Sequence, residues 1–351
     1  MKPKFILFLG VGWSATTPLF ASIKEHLLYG IEKEWFYPHM LFERNCFKFK
    51  DDHLWRESLD ELKVRIKKFR EGEIQFHHVS KHNVSEKALR IIEHYDPTIE
   101  RYIDFYKCLW EEKGCNQTAL ADFTNTTSEC LQHGKKGVEW YKKFVSKLNE
   151  HFDVTQVAIF RDPVRRFFSN ECWLYDNAEL VGAPIGKRSI KDWFEHRIEH
   201  QIPYAKLIKT AMSCGKTEFF VMEDVWESDT ETQVARLQKL LTVDRVELYD
   251  NAYCPDRGSK AIRYSCLIDQ WTSDSFDMPD NLYYKLKEMM SFQYEDWIEM
   301  YGKLPETWGS PADYEKNQSL PIGRLQHKEN FVYPESYEEI DGQNYWKINN
   351  T

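Results

Sequence analysis

The sequence has no pair of cysteines at C-x-x-C spacing, no apolar run of membrane-spanning length, no excess of positive charge and no Gly-Lys-Ser/Thr after its N-terminal glycines. Each absence removes a class. Cys46, Cys108, Cys115, Cys130, Cys172, Cys214, Cys254 and Cys266 are scattered, and a chain of 351 residues builds a core without disulfides, so they read as reduced thiols. The apolar run Phe5 to Leu9 is far too short for a bilayer, which takes about 20 residues. It also lacks a small-residue cleavage site after it, so no signal peptide, no membrane partner and a cytoplasmic location are expected. The N-x-S/T triplets at Asn83, Asn116, Asn125 and Asn317 then read as chance matches. A net charge of -9 excludes nucleic acid as the dominant partner, because phosphate backbones recruit basic surfaces. Without the Walker lysine, the N-terminal glycines do not form an ATPase-type loop.

What is present is apolar residue in quantity and a recurrent strand-helix pattern. Hydrophobic residues make up 42% of the chain, enough for a sizeable core. The 12 Trp, 19 Tyr and 22 Phe would serve both core and aromatic-lined pocket. No internal repeat and no low-complexity block interrupts them. Phe5 to Leu9 reads as a buried parallel strand, residues 10 to 17 as a turn, and Pro18 as part of the first turn of a helix. Apolar spacing predicts helices over 55–70, over 86–110 with a break near Pro97, over 137–151, over 190–212 and from Glu231 to Leu241. Strands are predicted at Val154 to Phe160 and Phe219 to Met222. Strands alternating with helices imply an α/β fold with a central parallel sheet flanked by helices. The expected organisation is one domain over 1–310 and a polar C-terminal extension over 311–351.

Two strand ends carry chemistry. Gly12-Trp13-Ser14-Ala15-Thr16-Thr17 combines small and hydroxylated residues just before a helix. A helix N-terminus offers unpaired N–H groups and partial positive charge, and a glycine-containing turn lets the backbone approach a phosphate. The alternative is an ordinary turn with Ser and Thr caps. Arg161-Asp162-Pro163-Val164 follows the second predicted strand, where parallel sheets bind ligands, and Ser169 lies about two helical turns on. An Arg fork with a hydroxyl suits a second phosphate; the alternative is a surface ion pair beside a solvent-facing Ser.

These motifs resemble those of the sulfotransferases that use 3′-phosphoadenosine 5′-phosphosulfate (PAPS), a family with a P-loop nucleoside-triphosphatase-like architecture. The resemblance implies that Gly12, Trp13, Ser14, Ala15, Thr16 and Thr17 cradle the 5′-phosphosulfate and that Arg161 and Ser169 hold the 3′-phosphate. Further elements follow in the family's order. Ala121-Asp122-Phe123-Thr124-Asn125 resembles a Glu/Asp-Lys/Phe-Thr-Pro segment, and Val221-Met222-Glu223-Asp224-Val225 a strand ending in Glu-Asp-Leu. Arg257, Gly258, Ser259 and Lys260 resemble the late loop that closes over the nucleotide, and 279–297 the final helical stretch. The resemblance covers roughly residues 4 to 300. It implies a PAPS-dependent transferase acting on a small-molecule or glycan hydroxyl, with PAPS as co-substrate and no metal.

This sequence departs from the family's pattern in two places. Trp13 stands where relatives carry Lys or Arg to neutralise the leaving phosphate, and Ala15 where Gly is usual. Indole donates one hydrogen bond but has no charge, so another cation is needed. Lys81 is the first candidate and Lys260 the second. A nucleotide-binding module without catalysis is the corresponding alternative. Sulfuryl transfer also needs a base for the acceptor's proton. His78, His82, Glu86 and Asp122 are open candidates, the histidines because imidazole titrates near neutrality. A competing pattern, His196-Arg197-Ile198-Glu199-His200, fits H-x-x-E-H of zinc peptidases. Without an identifiable third ligand it ranks below the transferase reading, as do His77, His78 and His82 as metal ligands.

Overall fold

Strand β1 (Lys4–Phe8) is buried from Phe5 onward, as its unbroken apolar sequence requires. In the computed structural model it is the middle strand of a five-stranded parallel sheet with β2 (Leu27–Tyr29), β3 (Ala119–Asp122), β4 (Asp153–Phe160) and β5 (Lys216–Val221), in the order β2-β3-β1-β4-β5. The residues described are 2–12, 14, 16–30, 63–64, 66–67, 70–71, 86–93, 98–114, 119–124, 127, 130–131, 134–167, 170, 197–198, 201, 203–248, 280–309, 337–340 and 343–346. The chain divides into two units, Met1–Phe160 with Lys206–Tyr249, and Arg161–Ala205 with Asp250–Thr351.

In the first unit the period-2 alternation of the strands assigns residues to two helical layers. Ile6 and Phe8 of β1, Ala119 and Ala121 of β3, and Val157 and Ile159 of β4 share one core cluster. The same cluster takes Leu19, Phe20 and Ile23 from α1 (Thr16–Ile23), and Leu237, Leu240 and Leu241 from a later helix, Thr230–Leu241. The intervening strand residues turn the other way. Phe5 meets the rings of Tyr102 and Tyr106, both on the helix Ile99–Lys113. That helix is α3, since α2 is Glu86–Glu93. Gln156 of β4 accepts from Tyr141 Oη of α4 (Gly134–His151) at 2.5 Å and donates to the carbonyl of Ala211 in α5 (Tyr204–Met212) at 2.9 Å. With Thr230–Leu241 as α6, helices therefore cover both faces, which is the α/β arrangement the alternating pattern predicts.

The predicted elements sit close to the observed ones. The expected break near Pro97 separates α2 from α3, and Thr98 caps α3 by accepting from the Arg101 N–H at 3.2 Å. Residues 63–64, 66–67 and 70–71 are helical, as the 55–70 spacing predicts. Residues 197–198 are helical and α5 covers the end of the predicted 190–212 helix, but Gln201 and Pro203 are not helical, so the single helix expected there is broken just before α5, at a proline that has no N–H to donate. Two strands carry no strand pattern of their own in the sequence. β2 is three residues long, too short to show a period. β3 is buried at every position, so it shows no alternation. Among the described residues Cys108, Cys130 and Cys214 are free thiols. No helix of the described residues is long and apolar enough to cross a membrane.

The second unit contains α7 (Asp280–Met289) and α8 (Ser291–Tyr301). Trp297 of α8 packs on Trp308 with ring centroids 4.6 Å apart, and Tyr204 meets both rings. Within the 311–351 stretch, β6 (Tyr337–Ile340) and β7 (Gln343–Trp346) pair antiparallel.

Candidate functional site

The pairing of β1 with β4 runs past Phe8. Leu9 N–H donates to the Val157 carbonyl at 2.8 Å, Ile159 N–H to Gly10 at 3.1 Å, and Val11 N–H to Ile159 at 3.2 Å. Gly10 has φ 92°, a left-handed conformation that glycine adopts without the Cβ penalty. The chain then turns through Gly12 and Ser14 into α1, which begins at Thr16. Ser14 is fully buried and its Oγ has no hydrogen-bond partner. An orphaned buried hydroxyl costs about 1–3 kcal/mol. This one lies two residues before a helix whose first N–H groups have no partner inside the helix. A tetrahedral anion would satisfy both. Gly12, Ser14 and Thr16 are thus the described part of the expected cradle. Trp13, Ala15 and the side chain of Thr17 lie outside the described residues.

The next strand over, β3, ends in Asp122, whose register partner on β1 is Leu7. Asp122 is fully buried. Its Oδ2 accepts from Tyr102 Oη at 2.7 Å and from Tyr106 Oη at 3.4 Å, and its Oδ1 accepts from the Thr124 N–H at 2.8 Å. Tyr102 is held protonated well above the ordinary range, first by burial and then by the charge of Asp122. The carboxylate therefore fixes the chain as it leaves the sheet. Both of its oxygens are engaged, one by two tyrosines and the other by a backbone amide.

Arg161 is the residue after β4 and belongs to the second unit. Its carbonyl accepts from Tyr204 Oη at 2.9 Å. Asp162 is buried and collects four donors. Its Oδ1 accepts from the Arg165 N–H at 3.0 Å, the first-turn cap of the 163–167 helical segment that Pro163 opens. Tyr283 Oη reaches Oδ2 at 3.0 Å, Tyr294 Oη reaches both oxygens at 3.1 Å, and the Gly309 N–H reaches Oδ2 at 3.0 Å. Burial and then the Asp162 charge push both tyrosines up. Arg165 and Arg166 are buried too: Arg165 donates to the Thr307 carbonyl at 3.3 Å, and Arg166 bonds Gln201 and lies over the Tyr204 ring. Of the three arginines in the motif, Arg161 is the one left partly exposed.

Glu86 opens α2 at the surface and spends its carboxylate on Arg70, at 2.7 Å, and Arg90, at 3.5 Å. The remaining sequence candidates fall outside the described residues: His77, His78, Lys81, His82, Ser169, Arg257, Gly258, Ser259 and Lys260, and His196, Glu199 and His200 of the zinc pattern. No group of three His, Cys, Asp or Glu side chains able to hold a metal occurs among the described residues. Sequence reasoning missed the anchoring role of Asp162, for which an Asp directly before a helix-opening Pro was the available signal. It also passed over the Thr127 hydroxyl, for which there was none.

No family model matches the chain. No curated protein matches it either. Among solved structures it is similar to a sulfotransferase from Alicyclobacillus acidocaldarius, at 12% identity, covering 88% of this chain and 98% of that one with a TM-score of 0.45. It is also similar to the sulfotransferase domain of the Synechococcus PCC 7002 olefin synthase, at 12% identity, 93% of each chain and a TM-score of 0.38.

Proposed function

We propose that this chain binds 3′-phosphoadenosine 5′-phosphosulfate and transfers its sulfuryl group to a hydroxyl of a small-molecule or glycan acceptor. The observation that supports it best is Ser14, a buried hydroxyl without a partner in the turn between β1 and α1. Gly12, Ser14 and Thr16, with Trp13, Ala15 and Thr17, would hold the 5′-phosphosulfate. Arg161 and Ser169 would hold the 3′-phosphate, with Arg257, Gly258, Ser259 and Lys260 closing over the nucleotide.

In the reaction the acceptor oxygen forms a bond to sulfur as the bond from sulfur to the 5′-phosphate oxygen breaks. The phosphate oxygen leaves with the negative charge, and the acceptor's proton goes to a base. Donors placed in advance around the anionic oxygens lower the barrier, because they need no reorganisation as charge develops. Lys81 would supply the cation that Trp13 does not. His78, His82, Glu86 and Asp122 are the base candidates; the bonds from Tyr102, Tyr106 and the Thr124 N–H suit Asp122 better to orienting the site than to accepting a proton, and Glu86 spends its carboxylate on Arg70 and Arg90. In this reading one of the two histidines, His78 or His82, would accept the proton.

Calorimetric titration of 3′-phosphoadenosine 5′-phosphate, beside adenosine 5′-phosphate, on wild type and Arg161→Ala tests the reading. Binding that needs both the 3′-phosphate and Arg161 is expected. A folded wild-type protein that binds neither nucleotide refutes it. Trp13 favours a second reading, a nucleotide-binding module without catalysis; its signature is tight nucleotide binding with no sulfated product from any acceptor offered.

A further inference from the structure

We propose that the hydroxyls of Thr124 and Thr127, just beyond β3, are ligand-binding groups that donate, together with Ser14, to the anionic tetrahedral group bound at this edge of the sheet. The proposal rests on the nucleotide reading above and adds the end of β3 to the ends of β1 and β4 that the reading already uses.

Thr124 and Thr127 are buried, at 0% and 1% exposure, and neither Oγ1 has a hydrogen-bond partner. Their backbones, by contrast, are tied down. The Thr124 N–H donates to Asp122 at 2.8 Å, the Thr127 N–H to the Thr124 carbonyl at 3.2 Å, and Cys130 Sγ to the Thr127 carbonyl at 3.2 Å. Phe123 stacks on Phe8 of β1 at 4.6 Å and meets Phe20 of α1 edge-on at 5.0 Å. The segment is thereby seated against the strand and helix that flank Ser14. Three buried hydroxyls thus lack partners at the carboxyl ends of adjacent parallel strands, the edge where such sheets bind ligands. Folded proteins rarely leave buried hydroxyls unpaired, and an anion with several acceptor oxygens is the ligand that takes several O–H donors at once. The two aromatic contacts and the Asp122 carboxylate then have one common effect: they hold the donors in place before the ligand arrives.

The test uses the full chain with Thr124→Val and Thr127→Val, which keep the branched shape and remove the donor, and Thr124→Ser and Thr127→Ser, which keep the donor. The valine variants are expected to melt at or above the wild-type temperature, because an orphaned polar group has gone. They should bind 3′-phosphoadenosine 5′-phosphosulfate roughly tenfold more weakly per hydroxyl, the effect of losing a bond to a charged group. The serine variants should bind like wild type. Calorimetry with 3′-phosphoadenosine 5′-phosphate separates the two oxyanions: weakening of both nucleotides assigns the hydroxyls to the 5′-phosphate, and weakening of the sulfuryl-bearing one alone assigns them to the sulfuryl group. Valine variants that bind both nucleotides as wild type overturn the proposal, as do serine variants that lose as much as valine. If wild type binds neither nucleotide, the nucleotide reading fails and inorganic sulfate becomes the probe. Sulfate binding weakened by valine then upholds the oxyanion site, and sulfate binding that is absent or unchanged overturns it.

Discussion

Replacing Asp162 with alanine removes the acceptor for two backbone N–H groups, Arg165 and Gly309, and for two buried phenols, Tyr283 and Tyr294. It also removes the cap of the 163–167 helical segment. Each orphaned donor would cost about 1–3 kcal/mol if nothing replaced the carboxylate. Against that stands the recovered cost of holding a carboxylate away from water, together with the freedom of the phenols to bond to each other. The net expected loss is about 3–5 kcal/mol, the range seen when a buried charged network loses one member. A loss of that size lowers the melting temperature by about 10 °C. Asp162→Asn keeps the shape and one oxygen but turns an N–H₂ toward at least one donor, so it should fall between wild type and alanine. Urea unfolding followed by tryptophan emission is the natural assay, because Trp297 and Trp308 pack together in the same unit and report on it. A loss below about 1 kcal/mol for Asp162→Ala, the size of one ordinary hydrogen bond, would refute the account of this residue as an anchor.

Stability should fall at high pH. Tyr102, Tyr141, Tyr283 and Tyr294 keep their protons well above the ordinary range because burial disfavours the phenolate. Below about pH 10 folded and unfolded states hold the same phenolic protons, and above it the unfolded state releases them first, so unfolding becomes easier by up to about 1.4 kcal/mol per pH unit per tyrosine. Absorbance at 295 nm should show these phenols ionising only as circular dichroism is lost; ionisation near pH 10 in a folded protein would contradict it. Tyr141→Phe strands the Gln156 Oε1 acceptor in the sheet and should cost about 1–3 kcal/mol, whereas the double variant Tyr141→Phe/Gln156→Leu should recover most of it, a coupling that a double-mutant cycle in urea measures. Ser14→Ala should move stability and affinity in opposite directions, raising the melting temperature by a few degrees while weakening binding of 3′-phosphoadenosine 5′-phosphate; a variant that loses stability would show that the hydroxyl serves the fold.

Elements with a strong internal period were legible in the sequence. β1, β4 and α4 announce themselves because burial on both faces of a strand, or on one stripe of a helix, writes a pattern into consecutive residues. β2 and β3 are set by a different cause. Each is short and finds its place by pairing, β3 between β1 and β2, so its identity as a strand resides in its neighbours rather than in its own residues. The candidate site divides in the same way. The β1–α1 turn shows in the sequence as small and hydroxylated residues after a strand, whereas the Thr127 hydroxyl depends on where Phe123 packs and on what Asp122 holds.

The Arg-Asp-Pro-Val element shows why a short motif can be legible and still be misread in its parts. As a string it suggests a ligand-binding arginine followed by filler. In the structure its members do different work. Pro163 and the Asp162 carboxylate start the helical segment, and Asp162 reaches on to Tyr283, Tyr294 and Gly309, more than a hundred residues away. Arg165 and Arg166 are drawn inward to the Thr307 carbonyl and to Gln201. Arg161 differs from both: Tyr204 Oη donates to its carbonyl, and the residue is partly exposed. An anion reader needs a fixed backbone and a guanidinium within reach of solvent. For the proposed role of Arg161 the Tyr204 bond and the anchored Asp162 would supply the first condition, so that in this reading the motif's conspicuous charge and its silent anchoring belong to one requirement.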